Sequence, residues 1–269
     1  MPARNAHHQS RRAARHANTR HPAKRHGRQT EDYLIYGFHP VVAALANPAR
    51  RITKLIATEN GLRRLKDAGA QLPPTIEHAR PDGLSKLVGS EAVHQGLVLE
   101  VAPLPDRAIE DFADAQLLIC LDQVSDPHNV GAILRSAAAF GADGVVTTTR
   151  HAPHETGVLA KAASGALDLI PTAAVPNLAR ALDQLGTYGF ARVGLDERAE
   201  AKIDTAMDGA RIALVLGAEG QGLRRLTRER CDRLAQLPTQ GPLASLNVSN
   251  AAALALYEAR RHLDGNASS

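Results

Sequence analysis

Apolar and polar positions follow two different periods along the chain, and the changes of period predict its elements. The run ITKLIAT alternates as a strand does, whereas NGLRRLKDAG carries apolar residues at helical spacing and predicts a helix ended by its last glycine. The stretch YLIYGFHPVVAALAN predicts a strand, a turn at Gly37 and a helix. Together these segments predict a small α/β unit over residues 33–103.

A longer series of strands and helices follows a stretch that is rich in proline and acidic residues. The segment APLPDRAIEDFADA predicts a linker over residues 104–116. The continuous apolar run QLLICLDQV then predicts a buried strand. Because further strands alternate with helices up to the C-terminal helix SNAAALALYEARRHL, we expect an α/β fold with a mostly parallel, doubly wound sheet in residues 117–269.

Three polar or glycine-rich loops follow strands of this expected sheet: DPHNVGAILRSA, GAEGQGL and LPTQGPLASLNVSNA. Ligands bind at the carboxyl ends of the strands in such sheets, so we expect the loops to converge. Each loop alone also has a purely structural interpretation. Asn129 could cap a helix, the glycines could form a tight turn, and Asn247 could satisfy turn backbone.

Positive charge is concentrated in the first 30 residues. This segment holds eight of the 32 Lys and Arg residues, five histidines and no acidic residue, which leaves 24 basic and 28 acidic residues in the remainder. We therefore expect residues 1–32 to be a disordered basic tail. A polyanion-binding arm, a solvated terminus and an Arg-rich presequence all stay open as interpretations.

Composition makes several classes of protein less favourable. With four Phe, four Tyr and no Trp, a sheet that stacks RNA bases on aromatic rings is not expected. Cys120 and Cys231 lack metal-ligand spacing, so no metal is expected. No apolar stretch approaches the length of a membrane span and no secretory signal is recognisable, so we expect a cytoplasmic protein without membrane contact.

The three loops are more specific together than apart. Asn129 is followed six residues later by Arg135, GAEG stands at 217–220 and SLNVS at 245–249. In this order they resemble the three sequence motifs of the SpoU/TrmH family, which are RNA ribose 2′-O-methyltransferases of the SPOUT class. The resemblance covers residues from about 117 to 263.

The N-terminal unit adds a second resemblance. YGFHPVVAAL and VHQGLVLEV are similar to the ends of the L30e-like substrate-binding domain of one branch of the family, which methylates a guanosine in 23S rRNA. The resemblance therefore implies RNA, and 23S rRNA in particular, as the partner. Two features depart from the family pattern: the basic tail, and PLA at 242–244 where serines are common.

The resemblance also implies a deep trefoil knot in the C-terminal domain, a homodimer, and S-adenosylmethionine as cofactor. It implies catalytic roles for Arg135, Asn129, Glu219, Ser245 and Asn247. It implies cofactor-binding roles for Gly217, Leu237, Leu246, Leu216 and Gly220.

The chemistry of that cofactor fits the glycine-rich loop. Glu219 would repel a pyrophosphate, but it tolerates a positively charged sulfonium, and glycines let the backbone approach a ligand closely. Methylation of a ribose 2′-hydroxyl requires alignment of the reacting atoms and loss of a proton. Arg135 acts either as the base or as an electrostatic stabiliser of the alkoxide. We favour the stabiliser, because a guanidinium keeps its proton at ordinary pH.

Three alternatives remain. A dinucleotide-dependent oxidoreductase would carry its glycine-rich turn after the first strand of the sheet, whereas GAEGQGL follows a late one. A non-catalytic RNA-binding protein could keep the fold without the chemistry. A member of the same family could instead methylate tRNA.

Overall fold

A computed structural model of the protein describes residues 31–241 and 246–267. The expected basic tail lies almost wholly outside the described residues, and so does the candidate Ser245. The described residues form two sheets, one within each of the two expected units.

The N-terminal unit is a four-stranded mixed sheet with three helices. Its strand order is β1-β4-β2-β3, in which only β2 and β3 pair in parallel. The expected strand at ITKLIAT and the helix at NGLRRLKDAG are confirmed, whereas β3 was not predicted because it is too short to show a period. The elements are β1 (Tyr33–Tyr36), α1 (Phe38–Ala46), β2 (Ile52–Ala57), α2 (Glu59–Asp67), β3 (Ile76–His78), α3 (Pro81–Val88) and β4 (Leu97–Val101).

The C-terminal unit is a seven-stranded sheet with helices on both faces. All its strand pairs are parallel, so the expected mostly parallel α/β fold is confirmed. Its strands are β5 (Leu117–Asp122), β6 (Gly144–Thr148), β7 (Thr172–Val175), β8 (Ala191–Leu195), β9 (Ala201–Lys202), β10 (Ile212–Gly217) and β11 (Arg233–Gln236). Its helices are α4 (Pro127–Ala139), α5 (Gly157–Ala163), α6 (Ala166–Leu169), α7 (Leu178–Thr187), α8 (Ile203–Ala206), α9 (Arg225–Glu229) and α10 (Val248–Ala267).

The order of the strands explains where a site forms. The order is β7-β6-β5-β10-β8-β11-β9, so the chain builds outward from β5 in one direction and later returns to place β10 on its other side. Asp122 ends β5 directly opposite Gly217, which ends β10. The connections after these two strands lead to helices on opposite faces of the sheet, α4 and α9, and a crevice at the carboxyl ends of the strands results.

The start of α4 differs from the expectation. The segment SDPHNVG predicts a loop that ends at Gly131, with a helix over AILRSAAAFGA, but the helix already begins at Pro127. Proline suits the first helical position, and the Asp126 side chain accepts a hydrogen bond from the amide of His128 at 2.9 Å. Asp126 therefore caps the helix, and Asn129 lies in its first turn with a side chain that is free for other partners.

The expected linker packs against the seven-stranded sheet of the C-terminal unit. A 3-10 helix at Ile109–Phe112, which the sequence pattern did not predict, buries Phe112. The Phe112 ring occupies the space that a side chain at Gly144 would need, since a methyl group there would come within 2.2 Å of the ring. This close approach fixes the end of the linker to β6.

A glycine also sets the distance between α4 and α5. A methyl group at Gly131 would lie 2.5 Å from the methyl group of Ala162 and 2.8 Å from the amide nitrogen of Ala163. Because both neighbours belong to the packed helix α5, neither can move aside cheaply. Gly131 lets the helix that carries Asn129 and Arg135 lie directly on its neighbour.

We expect Gly131→Ala to lower the free energy of unfolding by about 1–3 kcal/mol, because the added methyl group overpacks the α4–α5 contact. Gly83→Ala is the matched control. Gly83 is also helical, but the nearest atom to an added methyl group is 3.9 Å away, so the control should gain up to about 1 kcal/mol of stability. Urea unfolding of both variants measures the difference, and equal stabilities would contradict the packing argument.

Candidate active site

The three expected loops do converge at the carboxyl ends of β5 and β10. The first brings Asn129 in the first turn of α4, the second brings Glu219 just after β10, and the third brings Asn247 just before α10. α10 packs against both α4 and β10, which closes the group. Residues separated by up to 118 positions in the chain are thereby in direct contact.

Asn129, Glu219 and Asn247 form a closed triangle of hydrogen bonds. The amide nitrogen Nδ2 of Asn247 donates to Glu219 Oε1 at 2.7 Å and to Asn129 Oδ1 at 3.0 Å. Asn129 Nδ2 donates to the same Glu219 Oε1 at 3.0 Å. The carboxylate thus orients both amides, and among the described residues no hydrogen bond reaches its second oxygen. That oxygen is available to a ligand or to substrate.

The backbone at the start of α10 holds Asn247 in place. The amide and the hydroxyl of Ser249 both donate to Asn247 Oδ1, at 2.8 and 2.6 Å. This leaves the Nδ2 group to face the triangle. A short polar side chain that bonds backbone two residues ahead is a common helix start, so Asn247 serves the helix and the site at once.

The second loop is a tightly closed turn. Gly222 N donates to Ala218 O at 2.9 Å, and a methyl group at Gly217 would come within 2.1 Å of the Gly222 carbonyl carbon. Gly220 has a φ of +75°, which side chains disfavour. The glycines therefore allow the loop to fold back on itself and present Glu219 at its exposed tip.

A cleft of about 340 Å³ opens beside this turn, between the ends of β8, β10 and β11. All five cofactor-binding candidates line it: Leu216, Gly217, Gly220, Leu237 and Leu246. Glu219 lines it too, and so connects the cleft with the triangle. The cleft is a space for a small molecule at the carboxyl ends of the strands, on the β8 side of the β5–β10 pair where the strand order predicts a site.

Of the two remaining catalytic candidates, only Arg135 belongs to the described residues, and it does not join the triangle. Arg135 lies on α4, its side chain is exposed, and it makes no hydrogen bond or ion pair with any residue that the structure describes. Ser245 precedes Leu246 in the third loop but lies outside the described ranges. The structure therefore assembles three of the five catalytic candidates.

Two ion pairs at this edge were missed by the sequence analysis. Asp122 is fully buried, and its carboxylate accepts from Arg224 Nε at 2.6 Å and from the Arg224 amide at 3.0 Å. Asp196 pairs with Arg228 at the wall of the cleft. Asp122 ends β5 and Asp196 directly follows β8, so a polar residue at the end of an apolar run was the available signal.

The two cysteine thiols are not suited to act as reactive groups in this site. Burial raises the pKa of Cys231 to about 12, and burial together with the nearby Cys231 raises the pKa of Cys120 even further, so neither thiol is a nucleophile near neutral pH. Within the described ranges no cluster of His, Cys, Asp and Glu has the makings of a metal site. No helix found there combines the length and the apolar character that crossing a membrane needs.

Comparison with protein families gives two matches. The SpoU rRNA Methylase family matches residues 116–257. A family described as RNA 2′-O ribose methyltransferase substrate binding matches residues 34–107. The two matches correspond to the two sheets.

Individual relatives match nearly the whole chain. It is 40% identical over 250 residues to the 23S rRNA (guanosine-2′-O-)-methyltransferase RlmB of Coxiella burnetii, with 87% of this chain and 98% of the relative covered. The RlmB protein of Ralstonia nicotianae is 39% identical over 241 residues, covering 85% of this chain and 95% of its own length. A protein of Bacillus subtilis described as a putative TrmH family tRNA/rRNA methyltransferase is 37% identical, with coverages of 87% and 96%.

Solved structures agree in fold. The SpoU methyltransferase AviRb of Streptomyces viridochromogenes, in complex with AdoMet, has a TM-score of 0.73 and 25% identity, covering 86% of this chain and 90% of its own. A putative RNA methyltransferase of the TrmH family from Porphyromonas gingivalis has a TM-score of 0.71 and 26% identity, with the same coverages.

Asp122→Asn should lower the free energy of unfolding by about 1–3 kcal/mol, because the buried charged hydrogen bonds to Arg224 are weakened. Glu229→Gln makes the same carboxylate-to-amide change in the exposed pair with Arg225, and should cost less than about 0.5 kcal/mol. Urea unfolding measures both. A cost for Asp122→Asn as small as that of the control would show that the pair of buried Asp122 with the partly exposed Arg224 does not hold the second loop.

Proposed function

The chain belongs to the SpoU rRNA Methylase family, and on that premise we propose that it transfers a methyl group from S-adenosylmethionine to a ribose 2′-hydroxyl of RNA, specifically of a guanosine in 23S rRNA. The observation that carries the proposal is the contact between the Asn129–Glu219–Asn247 triangle and the cleft at the ends of β8, β10 and β11. Glu219 belongs both to the triangle of polar side chains and to the lining of the cleft.

The residues of the cleft fit S-adenosylmethionine. Its volume lies at the lower end of the roughly 300–1,000 Å³ typical of small-molecule sites. Leu216, Leu237 and Leu246 supply apolar surface for an adenine ring. The carboxylate of Glu219 suits the positively charged sulfur of the ligand, whereas the carboxylate of Asp196 is already paired with Arg228. The bound cofactor would supply a methyl group on a positively charged sulfur.

The triangle is suited to orient the reacting hydroxyl. Glu219 holds Asn129 and Asn247 in one geometry, and its second oxygen can accept a hydrogen bond from a ribose hydroxyl. Because positioning alone supplies much of the rate of a transfer reaction, rigid amide groups beside the cleft favour catalysis. Ser245 is proposed to complete this pocket on the side of the third loop.

Arg135 is proposed to stabilise the negative charge that develops as the hydroxyl loses its proton. Its guanidinium is exposed and has no ion-pair partner among the described residues, so it is available to RNA. α4, which carries it, also carries Asn129, so both groups are placed by one rigid element. A fixed positive charge near a developing alkoxide lowers the barrier without having to act as a base.

Arg135→Ala should reduce the rate constant of methyl transfer to unmodified 23S rRNA by roughly 10²–10³-fold, because one preorganised charge is removed. Transfer of a labelled methyl group to the RNA measures the rate, and calorimetry with S-adenosylmethionine should show unchanged affinity. Arg180→Ala is the matched control, since Arg180 is also an exposed helical arginine but lies on α7. Near-normal turnover by Arg135→Ala would remove the proposed role.

The RNA itself is identified by mapping 2′-O-methylation in cells with and without the gene. Loss of one 2′-O-methylguanosine in 23S rRNA, restored by the wild type and not by Arg135→Ala, supports the whole proposal. Loss of a tRNA mark keeps the chemistry and changes the substrate. If no RNA changes, the alternative of a non-catalytic RNA-binding protein is favoured.

The oxidoreductase alternative does not fit the strand order. Its glycine-rich turn would follow the first strand of the parallel sheet, but the glycine turn here follows β10, and β5 leads into α4 through Asp126 and Pro127.

The domain assignment is part of the proposal: an RNA-binding domain at 33–103, a linker at 104–116 and a methyltransferase domain at 117–269. The trefoil knot and a cytoplasmic location stay predictions.

We also propose a homodimer in which the partner covers the exposed face of α10. Asn250, Leu254, Tyr257 and Arg261 follow one another at helical spacing, and all are exposed. Leu254 and Tyr257 are 48% and 52% exposed, which is unusual for large apolar side chains next to each other. A twofold interface that covers the same patch on both chains would bury them.

Leu254→Asp should convert the dimer into a monomer, because it places a charge in the centre of the proposed interface. The control is Leu87→Asp, since Leu87 is equally exposed at 48% but lies on α3 of the N-terminal unit. Light scattering after gel filtration gives the mass of each variant relative to the 28.6 kDa chain. A wild type that runs as a monomer at micromolar concentration would contradict the proposal.

A further inference from the structure

A buried polar cluster lies where the N-terminal unit meets the methyltransferase unit. Its centre is Arg50, which precedes β2 and whose side chain is fully buried. Arg50 Nη1 contacts Glu155 Oε2 at 3.0 Å, and Arg50 Nε contacts Asp168 Oδ1 at 2.8 Å. Both carboxylates come from the methyltransferase unit and are themselves at most 6% exposed. One arginine therefore reaches across the boundary to two carboxylates.

Neutral donors from the N-terminal unit and from the linker add further hydrogen bonds to the two carboxylates. Tyr33 Oη donates to Glu155 Oε2 at 2.9 Å, and the amide of Leu104 donates to the same oxygen at 3.1 Å. Burial, and then the charge of Glu155, raise the pKa of Tyr33, so its hydroxyl remains a donor. Asn47 Nδ2 donates to the carboxylate and to the carbonyl of Asp168. Five separate segments are thus tied together.

Close backbone contacts on either side of the Arg50 cluster leave little room for one unit to rotate against the other. A methyl group at Gly157 would lie 2.6 Å from the carbonyl oxygen of Leu34, and one at Gly165 would lie 3.2 Å from that of His39. The start of α5 therefore approaches β1 more closely than a side chain would allow, and the start of α6 lies against α1 with less than ordinary van der Waals space for one. Lys161 on α5 adds a hydrogen bond to the carbonyl of Val93 at 2.9 Å.

The energetics of such a cluster favour a role in fixing the orientation of the two units rather than in adding stability. Desolvation of buried charges offsets most of their attraction, so a buried ion pair contributes little net stability compared with apolar residues of similar size. Its directional hydrogen bonds nevertheless penalise every other arrangement, because a small rotation would leave a buried charge without its partner. A boundary that needed only stability would be served better by apolar side chains.

We propose that Arg50, Glu155 and Asp168 are positioning residues that hold the substrate-binding domain at one distance and angle from the catalytic cleft, and so determine which nucleotide of a bound RNA is methylated. The proposal rests on the proposed function, in which one RNA contacts both units at once. A rigid connection presents a single ribose to the cleft, whereas a loose tether lowers its effective concentration there and admits its neighbours.

Arg50→Met tests this, because it keeps an unbranched side chain but removes the donors that cross the boundary. We expect kcat/KM for 23S rRNA to fall by about tenfold or more, mainly through KM, and neighbouring riboses to gain methylation. Affinity for S-adenosylmethionine should stay within about twofold of the wild type, since the cleft is not touched. The matched control is Arg51→Met, whose side chain is 68% exposed and pairs with Asp32 rather than with a residue across the boundary.

A second variant separates positioning from stability. Removing Arg50 alone leaves two buried carboxylates unpaired and can unfold the protein, whereas the triple variant Arg50→Met, Glu155→Gln, Asp168→Asn leaves no charge behind. We expect the triple variant to melt close to the wild type and still to show the raised KM and the additional methylated riboses. A folded triple variant with wild-type KM and a single methylated ribose would overturn the proposal.

The test also works if the proposed function fails. Should the wild type methylate no RNA, hydrogen exchange still reports on the boundary, because the amide of Leu104 donates to Glu155. Exchange of the peptide that contains Leu104 should be faster in the triple variant than in Arg51→Met. Equal exchange in the two would show that the cluster does not hold the domains and would overturn the proposal independently of any activity.

Discussion

The parallel pairing of β5 with β10 is the constraint on which the site depends. It places Asp122 opposite Gly217 in the middle of the sheet, at the point where the connections diverge to either side. The loop after β5 leads into α4 and Asn129, and the loop after β10 carries Glu219. Because β5 is buried along its whole length and β10 as far as Leu216, a slip in their register would disrupt the apolar packing around both strands, and the two loops keep their relation.

Glycine and carboxylate have complementary roles in the second loop. Gly217 and Gly222 let the backbone close into a turn that no side chain would permit, and the closed turn fixes Glu219 without burying it. Asp122 then holds the end of the same loop through Arg224. The glycine-rich loop, which its composition would leave flexible, is therefore held in one closed geometry by the fold. Alignment of the oxygen, carbon and sulfur atoms in a methyl transfer requires such fixed geometry.

The two units are joined by charge as well as by apolar contact. The hydrophobic core is continuous across their boundary, and Arg50 with Glu155 and Asp168 is embedded in it. Apolar packing resists separation of the units but tolerates sliding, whereas hydrogen bonds to buried charges do not. Selection of one nucleotide in a large RNA depends on the distance between the substrate-binding domain and the catalytic cleft, and a boundary of this kind fixes that distance.

The sequence by itself determined most of the strands and helices, the parallel sheet and the three loops, because hydrophobic period and glycine position are local properties; β3 and the 3-10 helix at Ile109–Phe112 are too short to show a period. It also singled out Asn129, Glu219 and Asn247, whose types and order carry a family pattern. Only the tertiary structure decided that these three share hydrogen bonds, that Asn129 lies within a helix rather than before it, and that Arg135 stands outside the triangle. It alone revealed Arg50 and Asp122, since ion pairs between residues more than 100 positions apart leave no period in a sequence; they exist because folding brings their strands and loops together.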